Sequence, residues 1–184
     1  LKNKTFKKNI KKEYNFFLID EYQDVNNVQD EIFKNLSEPE YNLTVVGDQD
    51  QSIYGWRGSS VDNLKDFAKE FNKKKINVKE FNLIENHRST KNIISTANYL
   101  ARREKKNQIK SFRNLDGEYP IVGHFKDDVS EAKYIGGTIR RLIDKKLVKN
   151  FDEIAILFRS LNHSKTIQNE LNSRKFPYTV IGSN

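Results

Sequence analysis

The sequence predicts an α/β fold of parallel sheets with flanking helices, and two observations carry that expectation. Short runs rich in β-branched and aromatic residues alternate with longer stretches of helical period, the order produced when a strand is followed by a crossover helix. Two of the apolar runs also end abruptly in acidic residues, which places those acids at the carboxyl edge of a sheet, where open α/β folds bind ligands. The strand candidates are 16–19, 43–46, 78–83, 121–125, 153–158 and 178–181, and the helix candidates are 28–36, 61–71, 91–101, 129–147 and 164–174. The helix over 129–147 has the clearest period: Ala132, Ile135, Ile139, Leu142, Ile143 and Leu147 fall on one face, and the Gly136-Gly137 pair weakens it locally.

At 184 residues the chain holds one ordinary domain or two partial ones. It has no internal repeat and no low-complexity linker. The polar stretch 73–77, between a helix and a strand, is the best boundary and divides the chain into 1–78 and 79–184. A second soft point is 111–118, where charge, Asn and Gly gather without period.

Composition narrows the function without fixing it. Thirty-three Lys plus Arg against 25 Asp plus Glu give a net charge of +8, which favours a polyanionic partner such as nucleic acid. Runs such as Lys7-Lys8, Lys11-Lys12, Lys73 to Lys75 and Lys145-Lys146 are ordinarily solvated helix faces, so charge alone does not select DNA. The absence of Cys excludes a disulfide framework and a Cys-based zinc site, and His87, His124 and His163 have no metal-ligand spacing. The longest apolar run, Phe16 to Ile19, is far short of the ~20 residues that cross a bilayer, so the expectation is a cytoplasmic protein with no membrane partner. The lack of any Met, an initiator included, points to an internal piece of a longer protein, or to residues missing from the sequence.

Two segments can carry chemistry. Phe16 to Ile19 runs straight into Asp20 and Glu21; in nucleoside triphosphatases an Asp at such a strand end holds Mg²⁺ and the next Glu can polarise the attacking water. Taken alone the pair is ambiguous, because acids also follow strands wherever a chain turns outward. The second segment, from Thr44 to Gly58, is another apolar run leading into a loop of acids, amides, aromatics, one Arg and three Gly. Gln51 there can orient a water or a phosphate, while Tyr54, Trp56 and Arg57 offer stacking and cationic surface to a single strand. Flanks of Gly55, Arg57 and Gly58 suit an exposed Trp56 better than a buried one.

These segments resemble those of a known family. DEYQD from Asp20 to Asp24 is similar to motif II, and VGDQDQSIYGWRG from Val46 to Gly58 to motif III, of the UvrD/Rep/PcrA-like superfamily-one DNA helicases. LIENHRST from Leu83 to Thr90 looks like motif IV, and IAILFRS from Ile154 to Ser160 with FPYTVIG from Phe176 to Gly182 like the downstream part of the second motor domain. The resemblance implies RecA-like sheets of the P-loop NTPase type in two partial motor domains. Residues 1–78 would be the C-terminal part of the first and 79–184 the N-terminal part of the second.

By the same resemblance, Asp20 would coordinate Mg²⁺ on ATP, Glu21 would activate the hydrolytic water, and Gln51 would sense the γ-phosphate. Arg88 would be an arginine finger from the second motor domain, a fixed cation for the transferring phosphoryl group. Tyr54, Trp56 and Arg57 would hold single-stranded DNA, with duplex at a junction as the further partner. Arg159 is a weaker DNA-backbone candidate, a surface salt bridge being its other reading. The implied reaction is ATP hydrolysis coupled to 3′-to-5′ movement on DNA, with accessory repair or nuclease proteins as further partners.

The chain departs from the family pattern in two places. Where the family commonly has a Tyr that stacks on adenine, this chain has His87, which can stack with less area or stand in solvent at a helix entry. Nothing matches the G-x-x-x-x-G-K-[ST] loop that cradles the β- and γ-phosphates, so the purified chain by itself is expected neither to hydrolyse ATP nor to unwind DNA. Two alternatives remain: the motor subunit of a helicase–nuclease, and a basic nucleic-acid-binding module without turnover. An ATPase assay of the purified chain with single-stranded DNA should stay at the blank rate, and robust stimulated hydrolysis would overturn the expectation.

Overall fold

The computed structural model describes residues 4–103 and 107–182. They fall into two compact units, Leu1–Tyr119 and Pro120–Asn184, a division beside the second soft point of the sequence.

The first unit is organised around a short parallel ladder. β1 (Phe17–Ile19) pairs with β2 (Leu43–Val45), Phe17 opposite Leu43 and Ile19 opposite Val45. Parallel strands need a crossover between them, and α2 (Asn27–Ser37) supplies it. A capping box starts that helix: the Asn26 side chain accepts the Gln29 N–H, and the Gln29 side chain accepts the Asn26 N–H.

Ahead of the ladder, α1 (Lys4–Glu13) is a helix absent from the sequence candidates. Only Phe6 and Ile10 give it an apolar stripe, too weak a periodic signal against its lysines. Lys7 and Lys11, one turn apart, pair with Glu38 at 3.0 Å and Glu40 at 2.7 Å beyond the end of α2.

After β2 the expected helix over 61–71 is two helices, α3 (Val61–Lys65) and α4 (Phe67–Lys73). The break is Asp66, at φ −98° and ψ 0°, a residue whose short acidic side chain favours helix ends over interiors. A second two-stranded parallel sheet joins β3 (Glu85–Asn86) to β4 (Lys110–Ser111), and α5 (Lys91–Leu100) lies between them in sequence.

The second unit is a helix pair. α6 (Asp128–Asp144), capped by the Asp127 carboxylate on the Ser130 N–H, buries Ala132 and Ile139 against Ile167 and Leu171 of α7 (Lys165–Ser173), with Phe176 completing the cluster. Gly136 on α6 is where α7 comes closest: a Cβ there would meet the Arg174 side chain at 2.6 Å. The sequence-predicted helical face over 129–147 is therefore the buried one at Ala132, Ile135 and Ile139, while Leu147 lies past the helix end and is exposed.

The strand expectations at 78–83, 121–125, 153–158 and 178–181 are corrected. Those stretches have no ladder partner among the described residues, and Phe81, Leu83, Ile121, Val122, Leu157 and Ile181 stand exposed. Strand composition states a local preference, whereas a strand exists only once a neighbour accepts its hydrogen bonds. No helix among the described residues is long and apolar enough to cross a membrane.

Between the first ladder and its helices lies a buried polar network. The Tyr22 hydroxyl donates to Asp30 Oδ1, and Lys34 Nζ donates to Asp30 Oδ2 at 2.7 Å and to Glu70 Oε2. Burial, followed by the hydrogen bond to the Asp30 carboxylate, pushes the Tyr22 pKa far up, so the hydroxyl stays a donor. Burial works against the Lys34 charge, but hydrogen bonds to Asp30 and Glu70 outweigh it and raise its pKa. Phe67 packs edge-on to the Tyr22 ring at 5.7 Å and stacks obliquely on Phe71 at 4.7 Å.

Removing one member strands the others, which is the costly way to break a buried ion pair. Asp30→Ala should therefore lower stability by about 3 kcal/mol and Tyr22→Phe by about 1 kcal/mol, read by urea unfolding of the chain. Equal midpoints for Asp30→Ala and the unsubstituted chain would refute a stabilising network.

Candidate nucleotide and nucleic-acid site

The ladder extends one step past its strands and then delivers both candidate motifs to the same edge. The Val46 N–H donates to the Ile19 carbonyl at 2.9 Å, and the Tyr22 N–H donates to the Val46 carbonyl at 2.8 Å. Asp20 and Glu21 occupy the turn between those two bonds. Asp20 Oδ1 accepts the Glu21 N–H at 2.9 Å. Glu21 adopts a left-handed backbone, φ 49° and ψ 44°, before the 3₁₀ turn Tyr22–Asp24. That conformation costs a non-glycine residue about 1 kcal/mol, and the bonds on either side hold it.

Gln23 joins the two motifs and is 1% exposed. Its Nε2 donates to Glu21 Oε2 at 2.6 Å, and its Oε1 accepts the Asp48 N–H at 3.0 Å. The Gln23 carbonyl also accepts the Ser52 hydroxyl at 3.4 Å. Gly47 makes room for this amide, since a Cβ there would lie 2.7 Å from Gln23 Oε1 and 3.0 Å from Leu64.

Past Gly47 the loop coils into a 3₁₀ turn, Gln49–Gln51, around the Asp48 carboxylate. Oδ1 accepts the Asp50 N–H and Oδ2 accepts Gln51 Nε2, each at 3.0 Å. Arg103 Nη2 lies 3.1 Å from both Asp48 oxygens and 2.6 Å from Asp50 Oδ2. Burial opposes ionisation of Asp48, but the hydrogen bonds from Gln51 and Asp50 and the Arg103 charge outweigh it and hold the carboxyl below its usual value.

Farther along, Gly55–Arg57 forms a second short turn that ends at Gly58, whose φ of +87° suits glycine. Trp56 is 75% exposed. The Arg57 guanidinium sits 4.6 Å from its ring centroid and 5.3 Å from that of Tyr54. An exposed indole, a phenol ring and a cation form one stacking platform, the chemistry that bases of a single strand accept without regard to sequence.

His87 stacks on Phe112 with ring centroids 4.3 Å apart, and its Nε2 is 4.0 Å from Glu85 Oε2. The Arg88 backbone is fixed by Asn86 Oδ1 on its N–H at 3.0 Å and by Arg113 on its carbonyl at 2.9 Å. The Arg88 side chain is exposed and forms no ion pair among the described residues. No hydrogen bond, ion pair or ring contact among the described residues links His87 or Arg88 to Asp20, Glu21 or Gln51. Arg159 is exposed in the second unit, on the bend after 154–158.

Among the described residues no group of three or more His, Cys, Asp or Glu could enclose a metal ion. A single exposed carboxylate such as Asp20 is nevertheless a suitable Mg²⁺ partner, because that ion takes one or two carboxylates and completes its shell with phosphate oxygens and water.

Residues 1–72 match the family model of the UvrD/REP helicase N-terminal domain, and residues 81–184 match that of the UvrD-like helicase C-terminal domain. The chain belongs to the UvrD-like helicase family. It is 33% identical over 171 residues to a probable DNA helicase II homolog of Mycoplasma capricolum, covering 92% of this chain and 23% of that protein. It is 32% identical over 173 residues to the ATP-dependent DNA helicase PcrA of Bacillus subtilis, covering 93% and 23%. Against PcrA of Leuconostoc citreum it is 31% identical over 172 residues, covering 92% and 22%. The chain thus spans less than a quarter of the length of these relatives.

The structure brings Asp20, Glu21 and Gln51 to one edge and gathers Tyr54, Trp56 and Arg57 into one platform. Sequence reading missed the residues that hold the edge together. Gln23 and Asp48 lie inside the quoted motifs, where a buried amide and a loop acid look like their exposed neighbours. Arg103 lies 55 positions from Asp48 and carries no local signal.

If Gln23 depends on the missing side chain at Gly47, Gly47→Ala should push the amide off the Asp48 N–H and cost about 2 kcal/mol. The amide signals of Asp48 and Ser52 should shift in NMR spectra, and an unchanged spectrum with unchanged stability would refute the close approach.

Proposed function

We propose that this chain is part of an ATP-driven DNA motor that moves along single-stranded DNA. The observation that carries the reading is the shared edge at which Gln23 ties Glu21 to the loop of Asp48 and Gln51. A site that must couple a phosphoryl group to a bound strand needs its water-activating acid and its phosphate-facing amide in one mechanically linked unit, and the platform of Tyr54, Trp56 and Arg57 continues from that same loop. The similarity to the ATP-dependent DNA helicases PcrA of Leuconostoc citreum and Bacillus subtilis supports it.

In this reading Asp20 would hold Mg²⁺, and the ion would offset charge on the transferring group. Glu21 takes the proton of the attacking water. Gln51, oriented by Asp48, faces the γ-phosphate, and Arg88 adds a fixed cation. His87, with Phe112 beside it, offers the adenine a stacking face. The backbone cradle for the β- and γ-phosphates would come from residues outside this sequence. Residues 1–78 and 79–184 would belong to successive RecA-like motor domains, and the exposed strand-like runs support this, because apolar runs of that kind are ordinarily interior strands of a larger parallel sheet. The direction, 3′ to 5′, and duplex at a junction as a second substrate rest on the family resemblance, and Arg159 serves as a further backbone contact.

The test is Glu21→Gln in the polypeptide that joins this chain to a phosphate-binding loop. Turnover of ATP in the presence of single-stranded DNA should fall about 10²- to 10⁴-fold, the usual contribution of a general base, while ATP binding is kept. A parent with no ATPase to lose would favour a passive binding module, and a variant with full turnover would remove Glu21 from the chemistry.

A further inference from the structure

We infer that Arg103 is a positioning residue for the phosphate-facing amide: it neutralises Asp48 and Asp50 and, through Asp48, sets where Gln51 points. The inference rests on the motor reading above and adds to it a residue outside all the quoted motifs.

The geometry is a chain of three side chains. Gln51 Nε2 donates to Asp48 Oδ2 at 3.0 Å, and Arg103 Nη2 sits 3.1 Å from both oxygens of that carboxylate. The same nitrogen reaches Asp50 Oδ2 at 2.6 Å, so one guanidinium serves the acids on both sides of Gln49. The contact is half-buried, with side-chain exposures of 20% for Arg103 and 29% for Asp48. Solvent screens such a pair less than an exposed one.

Electrostatics explains why the loop needs it. Asp48 precedes the turn that carries Gln51 and Asp50 lies within it, while Asp20 and Glu21 lie at the same edge, so without a cation the loop would repel the polyphosphate that Gln51 must face. Arg88 does not fill this role, since its side chain forms no ion pair among the described residues. Arg103 alone, among those residues, pairs with Asp48 and Asp50. All three contacts come from one terminal nitrogen, Nη2, whose N–H directions are fixed in the guanidinium plane, whereas a lysine ammonium rotates freely. Because Asp48 is what Gln51 holds on to, its orientation is passed to the amide. The ion pair further links the segment matched by the N-terminal family model to the one matched by the C-terminal model. A displacement of residues near 103 would therefore be felt at Gln51 without passing through the ATP phosphates.

The experiment uses the polypeptide that joins this chain to a phosphate-binding loop, with oligo-dT as the DNA. Arg103→Ala should lower the oligo-dT-stimulated kcat about tenfold and leave the KM for ATP within about twofold, the pattern of an interaction felt after substrate is bound. Arg103→Lys, which keeps the charge and loses the rigid guanidinium plane, should recover part of the loss. Asp48→Asn should lower kcat in the same way, and adding Arg103→Ala to it should cost little more, because both substitutions cut one path. Thermal melting of each variant reports folding, and if Arg103→Ala melts early the Lys variant and Asp48→Asn carry the comparison. Unchanged stimulation in Arg103→Ala, or fully multiplicative losses in the double variant, would overturn the inference. An unsubstituted protein without oligo-dT-stimulated turnover would instead remove the motor reading itself, and this inference with it.

Discussion

The site depends on one buried amide. Gln23 uses its two ends differently, donating to a carboxylate and accepting from a backbone N–H, and so reads two strand ends at once. An amide is the side chain suited to this, because a carboxylate in its place would face Glu21 with like charge and a hydrocarbon would leave the Asp48 N–H unpaired. Burial makes both bonds obligatory. The turn that bears Asp20 and Glu21 is thereby locked to the loop that bears Gln51, and the left-handed backbone of Glu21 becomes tolerable because its neighbours leave it no alternative.

Beneath that amide lies the network of Tyr22, Asp30, Lys34 and Glu70, which ties the 3₁₀ turn after β1 to α2 and α4. Polar anchoring of this kind is directional in a way that hydrocarbon contact is not. An apolar core would let the turn slide by a fraction of an ångström at small cost, whereas a phenol, a carboxylate and an ammonium in sequence fix both distance and angle. The tyrosine next to the acid pair thus acts as a peg for the turn, with Phe67 packed edge-on against its ring and Phe71 against Phe67.

Much of the site was legible in the sequence because its residues are contiguous. Asp20 and Glu21 follow an apolar run directly, and the loop from Val46 to Gly58 announces its aromatics and glycines, so neither needs tertiary knowledge to be found. The helices 91–101, 129–147 and 164–174 were legible for a related reason, since a helix makes its own hydrogen bonds and needs only a periodic apolar face. Strands were less so. The runs at 16–19 and 43–46 formed because each found the other, whereas 78–83, 121–125, 153–158 and 178–181 have similar composition and join no ladder among the described residues. Arg103 was invisible because its meaning lies in a contact 55 positions away, and α1 because two apolar side chains do not make a period.

The exposed apolar runs matter when the molecule is handled. Val122 is 95% exposed and Leu157 92%, on runs that join no ladder among the described residues. Exposed apolar runs of this kind favour association with other extended segments, a second copy of the same run included. The net charge of +8 is then the main force keeping copies apart at low ionic strength, and added salt, by shortening the range of that repulsion, would favour strand-to-strand association between molecules.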